Sequence, residues 1–149
     1  MTTWRSGVAI LLLTGVAACA GQSAPPPTAP APVATAVCAV GDTAMVRDVV
    51  YFGRNRPGGG TVSDADWLRF LDEVVTPRFP YGLTVVDATG RWRGQSGVVE
   101  QERSEIVTVF HAGDPASRQA IADVAGEYKR RFRQEAVLRE RSATCARFE

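Results

Sequence analysis

Residues 44–76 decide the fold, and they read AMVRDVVYFGRNRPGGGTVSDADWLRFLDEVVT. The start of this stretch is rich in β-branched and aromatic residues and stops at Gly53, which predicts a strand. Ser63 then offers an N-cap with Asp66 three residues later, and an acidic residue suits the first turn of a helix. One apolar helical face follows at the spacing i, i+3, i+4 and i+7, formed by Trp67, Phe70, Leu71 and Val74. The stretch therefore predicts a strand, a glycine-rich connection and a helix that ends at Pro77.

The remaining sequence predicts three more strands and a second helix. A second strand is predicted over residues 83–93, and a polar loop separates it from a third strand over residues 105–111, whose almost continuous apolar character indicates a central position. Asp114 is a good N-cap, and Pro115 suits the first helical position. The apolar face of this helix consists of Ile121, Val124, Ala125, Tyr128 and Phe132. Residues 136–148 alternate in charge and predict an edge strand.

The order of these elements, βαββαβ, favours an α+β fold of the ferredoxin-like kind. In that fold two helices pack on one face of a four-stranded antiparallel sheet. The other face has no helices over it, so it is the natural place for a binding surface. We therefore predict one α+β domain over residues 38–149.

The first 18 residues have the features of an export signal. Arg5 precedes the apolar run GVAILLLTGVAA, which is too short for a spanning helix, since such a helix needs roughly 20 apolar residues. Residues 16–20, VAACA, resemble a bacterial lipobox, in which small residues precede the cysteine that receives the lipid. Cys19 is therefore predicted to be lipidated, and Ala20 favours the outer membrane, facing the periplasm, in a host that has one. The alternative is an ordinary signal peptide in which Cys19 is incidental.

Residues 19–37 contain five of the nine prolines and no charged side chain, which predicts an extended tether between the membrane and the domain. Of the 17 Lys and Arg residues one is Arg5, which leaves 16 against 16 Asp and Glu in the exported part. This balance provides no strongly basic surface. Nucleic acid is therefore not expected as a partner.

Two cysteines, Cys38 and Cys145, lie at the ends of the predicted domain. In an oxidising envelope compartment this pattern favours one disulfide that joins the two ends. The predicted topology agrees, because the first and last strands of a ferredoxin-like sheet are antiparallel neighbours and bring these cysteines together. Two free thiols are one alternative and a redox pair is another, although no C-x-x-C spacing supports redox work.

The glycine-rich connection at residues 53–60, GRNRPGGG, matches a phosphate-binding loop only in part. Its glycines begin with the P-loop spacing, but further glycines follow where Lys and Ser or Thr belong, and no G-x-G-x-x-G fingerprint is present. No cofactor is therefore expected. Arg54 and Arg56 are candidates for holding an anion ahead of a helix N-terminus. The alternative is a plain strand-to-helix connection that needs positive φ at its glycines.

A few other positions carry candidate chemistry. His111, the sole histidine, is a weak candidate for an acid or base, and with so few histidines and cysteines no metal site is expected. The alternative for His111 is a strand-end group that hydrogen-bonds the next turn. Arg91, Trp92 and Arg93 are candidates for binding sugars or anions, or for covering the open sheet face. Residues 94–98, GQSGV, approach the G-x-S-x-G elbow of hydrolases but lack its last glycine.

Several segments together resemble the family named domain of unknown function 3574, a group of small secreted or lipid-anchored bacterial proteins. The resemblance runs over residues 43–148 and rests on YFGR, GGGTVS, W-x-x-F-L, EVVTPRFP, GLTVVDATGRW, ERSEIVTVFH and YKRRFRQEAVL. Its most specific part is TPRFP-x-GLTV at residues 76–85. The resemblance implies placement in the cell envelope and no assigned reaction.

The sequence predicts a cell-envelope lipoprotein whose domain acts as a non-catalytic binding or interaction module. Its expected partners are the membrane through the lipid, an envelope protein or polymer, and a second copy through the open sheet face. The alternative is a small cofactor-free enzyme that uses the same open face, with His111 as acid or base and nearby arginines as anion clamps. A concave pocket would favour the enzyme, and a flat apolar patch would favour the interaction module.

Overall fold

Four strands and two helices follow one another in the predicted order βαββαβ. The structure is a computed structural model that describes residues 36–93 and 97–149. The predicted signal peptide, Cys19, nearly all of the tether and the first three residues of the elbow-like motif lie outside these residues. The elements are β1 (Thr43–Gly53), α1 (Asp64–Phe70), β2 (Thr84–Arg93), β3 (Val99–His111), α2 (Pro115–Phe132) and β4 (Leu138–Ala146). Within the described residues no helix has the length and hydropathy needed to cross a bilayer.

The strands form one antiparallel sheet in the order β2-β3-β1-β4. Both helices pack on the same face, because the buried residues of α1 and α2 share one core with β1 and β3. This is the ferredoxin-like arrangement, so the predicted fold class is confirmed. We name the face with helices the helix side and the other face the open face. Residues directly opposite each other on neighbouring strands point to the same face, so the strand register assigns each side chain to one of them.

Five aromatic rings form the centre of the core between the sheet and the helices, and they are Phe52, Trp67, Phe70, Tyr128 and Phe132. The ring centroids of Phe52 and Tyr128 are 4.7 Å apart in an edge-to-face arrangement, which aromatic pairs favour. The Tyr128 hydroxyl donates a hydrogen bond to the carbonyl oxygen of Gly53 at 2.9 Å. The core therefore ties α2 to the end of β1, where the glycine-rich connection begins.

The first helix begins as predicted but ends differently. The predicted N-caps Ser63 and Asp114 each accept a backbone N–H of their own helix and are confirmed. After α1 the chain continues in a π-helical turn, Leu71–Val75, and a 3-10 turn, Thr76–Arg78. The wider π turn buries both of its valines and leaves Leu71 only partly buried. A regular α-helix, which the spacing predicted, would have placed Leu71 deeper in the core.

The third strand starts at Val99, well before the predicted start at residue 105. Residues 99–104 pair with the second half of β2, from Val99 opposite Arg93 to Ser104 opposite Ala88. After Val99 this part of β3 is polar on both faces, so its sequence lacks the apolar alternation that marks a strand. The predicted polar loop is therefore largely the outer end of a long hairpin.

A disulfide joins Cys38 to Cys145, with the two Cα atoms 5.6 Å apart. β1 and β4 pair so that Ala44 lies opposite Cys145, and Cys38 precedes β1 by a short turn. The predicted disulfide and its topological reason are both confirmed. The bond closes the domain at the end of the sheet where β1 begins and β4 ends.

Candidate ligand site on the open face

A cavity of about 760 Å³ lies at one end of the open face. The glycine-rich loop, residues 55–61, and the connection between α2 and β4, residues 134–136, form its rim above the sheet. Its lining on the sheet comprises Tyr51, Gly53, Gly90, Trp92, Glu100, Glu102, Ser104 and Leu138. By the strand register all of these positions belong to the open face. We name this space the open-face cavity.

Two glycines make the floor of the open-face cavity. Gly90 lies opposite Glu102, and Gly53 lies opposite Ser104. A Cβ atom on Gly53 would fall 2.5 Å from a carboxylate oxygen of Glu102, and one on Gly90 would fall 3.1 Å from the hydroxyl oxygen of Ser104. The missing side chains therefore leave the space in which the carboxyl group and the hydroxyl group lie across the sheet.

Glu102 and Ser104 are the polar groups of this floor. The backbone N–H of Asn55 donates to Oε2 of Glu102 at 3.2 Å. Burial raises the pKa of the Glu102 carboxyl, and the charge of Glu100 raises it further against the effect of the Asn55 bond. Ser104 is only 9% exposed, and its hydroxyl has no side-chain hydrogen bond to any other described residue. Both groups are therefore available to a ligand.

Aromatic and apolar side chains form two walls beside this floor. Trp92 lies on β2 opposite Glu100 and is 49% exposed, which is unusual for so large an apolar side chain. Tyr51 lies opposite Leu138 across the floor from Trp92. The Tyr51 hydroxyl donates to Oε2 of Glu140 at 3.3 Å, which orients its ring.

The glycine-rich loop folds back on itself as a tight turn at the rim. Arg56 and Gly60 are joined by a backbone hydrogen bond of 3.0 Å, and Asn55 bridges to Thr61. Gly58, Gly59 and Gly60 all have positive φ, between 81° and 104°. The positive φ expected of a strand-to-helix connection is thus confirmed, and the loop also bounds the open-face cavity.

The candidate anion residue Arg54 is committed to internal partners. It is 2% exposed on the helix side, where Nε donates to the carbonyl oxygen of Val62 at 2.8 Å. Its terminal nitrogens donate to Asp64 at 2.7 Å and to the buried Glu105. Arg54 therefore joins β1, β3 and the start of α1. Its guanidinium already has two carboxylate partners on the helix side, away from the open-face cavity, which counts against its predicted role as a contact for a ligand anion.

The other predicted contacts divide between the cavity and its surroundings. Arg56 lines the cavity, with its guanidinium carbon 5.4 Å from the ring centroid of Phe132 and a nitrogen 3.4 Å from Asp66. Arg91 and Trp92 also line it, but the register directs the Arg91 side chain to the helix side. Arg93 donates to the carbonyl oxygen of Gly97 instead. The structure therefore brings Arg56 and Trp92 together and separates both from Arg54.

His111 lies on the helix side and not on the open face. It is 8% exposed, and its Nε2 is 2.8 Å from Oδ2 of Asp48. The N–H of Gly113 donates to Nδ1 of His111 at 2.9 Å, so the hydrogen-bond network assigns the proton to Nε2. The alternative prediction, an enzyme that uses His111 as acid or base at the open face, is therefore wrong about His111, since the imidazole is on the opposite side of the sheet. Its contacts match the strand-end alternative.

Asp48 is the centre of a buried charge cluster that the sequence did not reveal. It is 0% exposed and accepts two hydrogen bonds from Arg141, at 3.0 and 2.8 Å, in addition to that from His111. Burial alone would raise the pKa of Asp48, but the hydrogen bonds from Arg141 and His111 outweigh it and lower the pKa. The available signal was an aspartate at alternate positions with Ala44, Val46, Val50 and Phe52, on the otherwise apolar face of β1. Across the described residues no group of three His, Cys, Asp or Glu side chains could hold a metal ion.

Comparison with known proteins gives the fold and the family. No curated protein matches the chain. A phage SAM lyase in complex with S-methyl-5'-thioadenosine superposes with a TM-score of 0.53 at 16% identity, over 70% of this chain and 91% of that chain. The apo state of a phage SAM lyase gives a TM-score of 0.48 at 16% identity, over 78% of this chain and 98% of that chain. At such identity the first of these likenesses shows the shared fold alone.

A family model described as a protein of unknown function, DUF3574, matches residues 47–148. The matched part contains the glycine-rich loop, the floor of the open-face cavity and Cys145. This agrees with the resemblance to the same family that the sequence motifs indicated over residues 43–148. The chain belongs to the DUF3574 family.

Proposed function

We propose that the domain is a binding module that takes a small molecule in the open-face cavity. The observation that carries this proposal is the glycine floor between the aromatic walls. It presents the carboxyl group of Glu102 and the hydroxyl of Ser104, which has no side-chain hydrogen bond within residues 36–93 and 97–149. Ligand sites are concave and mostly apolar, with a few placed polar groups, and this cavity has that composition. Its volume of about 760 Å³ suits a molecule of metabolite size.

We further propose that the protein is a cell-envelope lipoprotein that faces the periplasm in a host with two membranes. The Cys38–Cys145 disulfide supports an oxidising compartment. Mass spectrometry of the protein from its own cells tests the anchor. A mature N-terminus at Cys19 that carries a diacylglyceryl group is expected, and an unmodified Cys19 still joined to residues 1–18 would refute it.

Filling the floor is expected to abolish ligand binding. Gly90→Val places a branched side chain into the cavity from a strand position where φ is not positive, so the backbone tolerates valine. Its Cβ would fall 3.1 Å from the Ser104 hydroxyl oxygen, so that side chain must shift slightly. The matched control is Ala88→Val, two residues away on the same face of β2 and outside the cavity lining. Thermal unfolding of the full chain would be measured with amines, amino acids, sugars, nucleosides and S-methyl-5'-thioadenosine.

A compound that binds is expected to stabilise the native state by about 2.7 kcal/mol when present at a hundred times its Kd. The wild type and Ala88→Val should both show the resulting rise in Tm, and Gly90→Val should not. Equal stabilisation of Gly90→Val would place the binding elsewhere. A set of compounds that leaves the wild-type Tm unchanged would count against a small-molecule module and in favour of an envelope protein, a polymer or a second copy as the partner.

A second candidate function is catalysis in the same cavity. It is favoured by the concave shape of the site, which was the criterion for an enzyme, and by Glu102 as the candidate acid or base in place of His111. Burial raises the pKa of the Glu102 carboxyl, and a raised carboxyl pKa is the direction of shift that general acids and bases need. Glu102→Gln is then expected to lower the kcat for a stabilising compound by roughly a hundredfold or more. Unchanged turnover in that variant would dismiss Glu102 as the acid or base.

A further inference from the structure

We propose that the ligand of the open-face cavity carries a positively charged organic group, an amine or a quaternary ammonium. This inference rests on the proposed function and names the chemical class of its ligand. Three features of the cavity carry it: the sign of the charges around it, the exposed aromatic wall and the carboxyl group on the floor.

Acidic side chains outnumber basic ones in the lining. The carboxylates are Glu100 and Glu102 on the open face of β3, and Glu135 at the rim, which has an interaction of its own and is not counted toward the ligand. Of the two arginines, Arg56 lies over the ring of Phe132 and beside Asp66, and the register directs Arg91 to the other face of the sheet. The charges that face the interior therefore favour a cation over an anion.

The aromatic wall provides a second interaction with a cation. Trp92 is half-exposed and lies opposite Glu100, while Tyr51 borders the other side of the floor. An ammonium group is attracted by the face of an aromatic ring, and tryptophan gives the strongest such contact. A tryptophan next to carboxylates is therefore suited to a cation, whereas a neutral apolar group would gain nothing from the carboxylates.

The floor supports the same class of ligand. Without a ligand, Glu102 lies across the glycines with one backbone donor, Asn55, and with Glu100 nearby as a like charge. A positive group above the floor would compensate this half-buried carboxylate, because an opposite charge nearby favours the ionised form. The Ser104 hydroxyl next to it, which has no side-chain partner in the described part of the chain, can accept an N–H or O–H of the same ligand.

The test compares two probes of one shape on the full chain. Choline carries a quaternary nitrogen, and dimethylbutanol is its neutral carbon isostere. Isothermal titration is expected to give a Kd for choline about tenfold lower than that for dimethylbutanol. Glu102→Gln should remove most of this preference, and Asp123→Asn on the exposed side of α2 should leave it intact. The wild-type comparison stands even if a variant fails to fold.

Equal affinities, a preference for the alcohol, or no measurable choline binding would overturn the inference. If neutral compounds stabilise the wild type but not Gly90→Val, and choline has no advantage, only the charge class is wrong and the cavity is still a binding site. If neither choline nor any other compound binds, the proposed function fails as well.

Discussion

Replacing both Cys38 and Cys145 by serine is expected to lower the free energy of unfolding by about 4 to 5 kcal/mol. The disulfide joins residues 107 apart in sequence, so it closes nearly the whole domain into one loop. In the chain-entropy account the cross-link stabilises the fold by restricting the unfolded chain, and the effect grows with the length of that loop. Urea unfolding of the wild type and the double variant, followed by far-UV circular dichroism, would measure the difference.

The matched control is Cys19→Ser, which removes a cysteine without touching the disulfide. Its domain should unfold at the urea concentration of the wild type. A reducing agent added to the wild type should reproduce the double variant. A loss below about 1 kcal/mol in the double variant would mean that the paired strands β1 and β4 hold the chain ends together without the covalent bond.

Asp48→Ala is expected to lower the free energy of unfolding by about 3 to 5 kcal/mol. In the wild type the guanidinium of Arg141 and the ring of His111 both donate hydrogen bonds to the Asp48 carboxylate. The substitution removes this acceptor and leaves a buried cavity beside both donors. Removing one partner of a buried charge cluster is costly because the remaining charge keeps its desolvation penalty. Asp123→Ala, at an exposed position of α2, should change the same free energy by no more than about 0.5 kcal/mol.

The loss should also depend on pH, with a sign fixed by the lowered pKa of Asp48. A carboxyl whose pKa is lower in the folded state contributes stability above its unfolded pKa of about 3.9. That contribution is lost as the pH falls through the folded pKa. The difference between wild type and Asp48→Ala should therefore be constant at neutral pH and shrink in acid. A difference that persists unchanged below pH 3 would contradict the ionic role.

The fold could be predicted because each element has a local signal. The β-branched run of β1, the caps at Ser63 and Asp114 and the apolar face of α2 each point to one kind of element, and their order leaves one simple topology. The disulfide followed from that topology. The π turn after α1 could not be predicted from the sequence. It packs two neighbouring valines into the core, and the spacing of apolar residues along the chain does not distinguish this turn from a regular α-helix.

The candidate site was harder to predict because its parts are distant in sequence. The floor needs Gly53 from β1, Gly90 from β2 and Glu102 from β3, and only the strand register brings them together. Residues 99–104 have polar side chains on both faces, so they predicted a loop where β3 in fact begins. The one signal in the sequence was Gly90, because a glycine inside a strand often marks a place where a ligand or another backbone approaches closely.

The arginines show the same limit. From the sequence, Arg54 and Arg56 were equally good candidates for binding an anion. In the structure, of these two only Arg54 pairs with Glu105 of β3, which is 51 residues away in sequence. His111 likewise finds its carboxylate partner 63 residues away on β1. A charged residue is predicted well when its partner is a helix terminus nearby, and poorly when the partner lies across a sheet.

The most direct test of the open-face cavity is nuclear magnetic resonance of the ¹⁵N-labelled full chain during a titration with choline. The described domain contains two indole N–H groups in contrasting places, Trp92 at the cavity wall and Trp67 in the core. Binding in the cavity should shift the Trp92 resonance progressively to saturation, together with the backbone N–H of Asn55, and leave Trp67 unchanged. A titration in which the Trp92 and Asn55 signals stay fixed would contradict the proposed site.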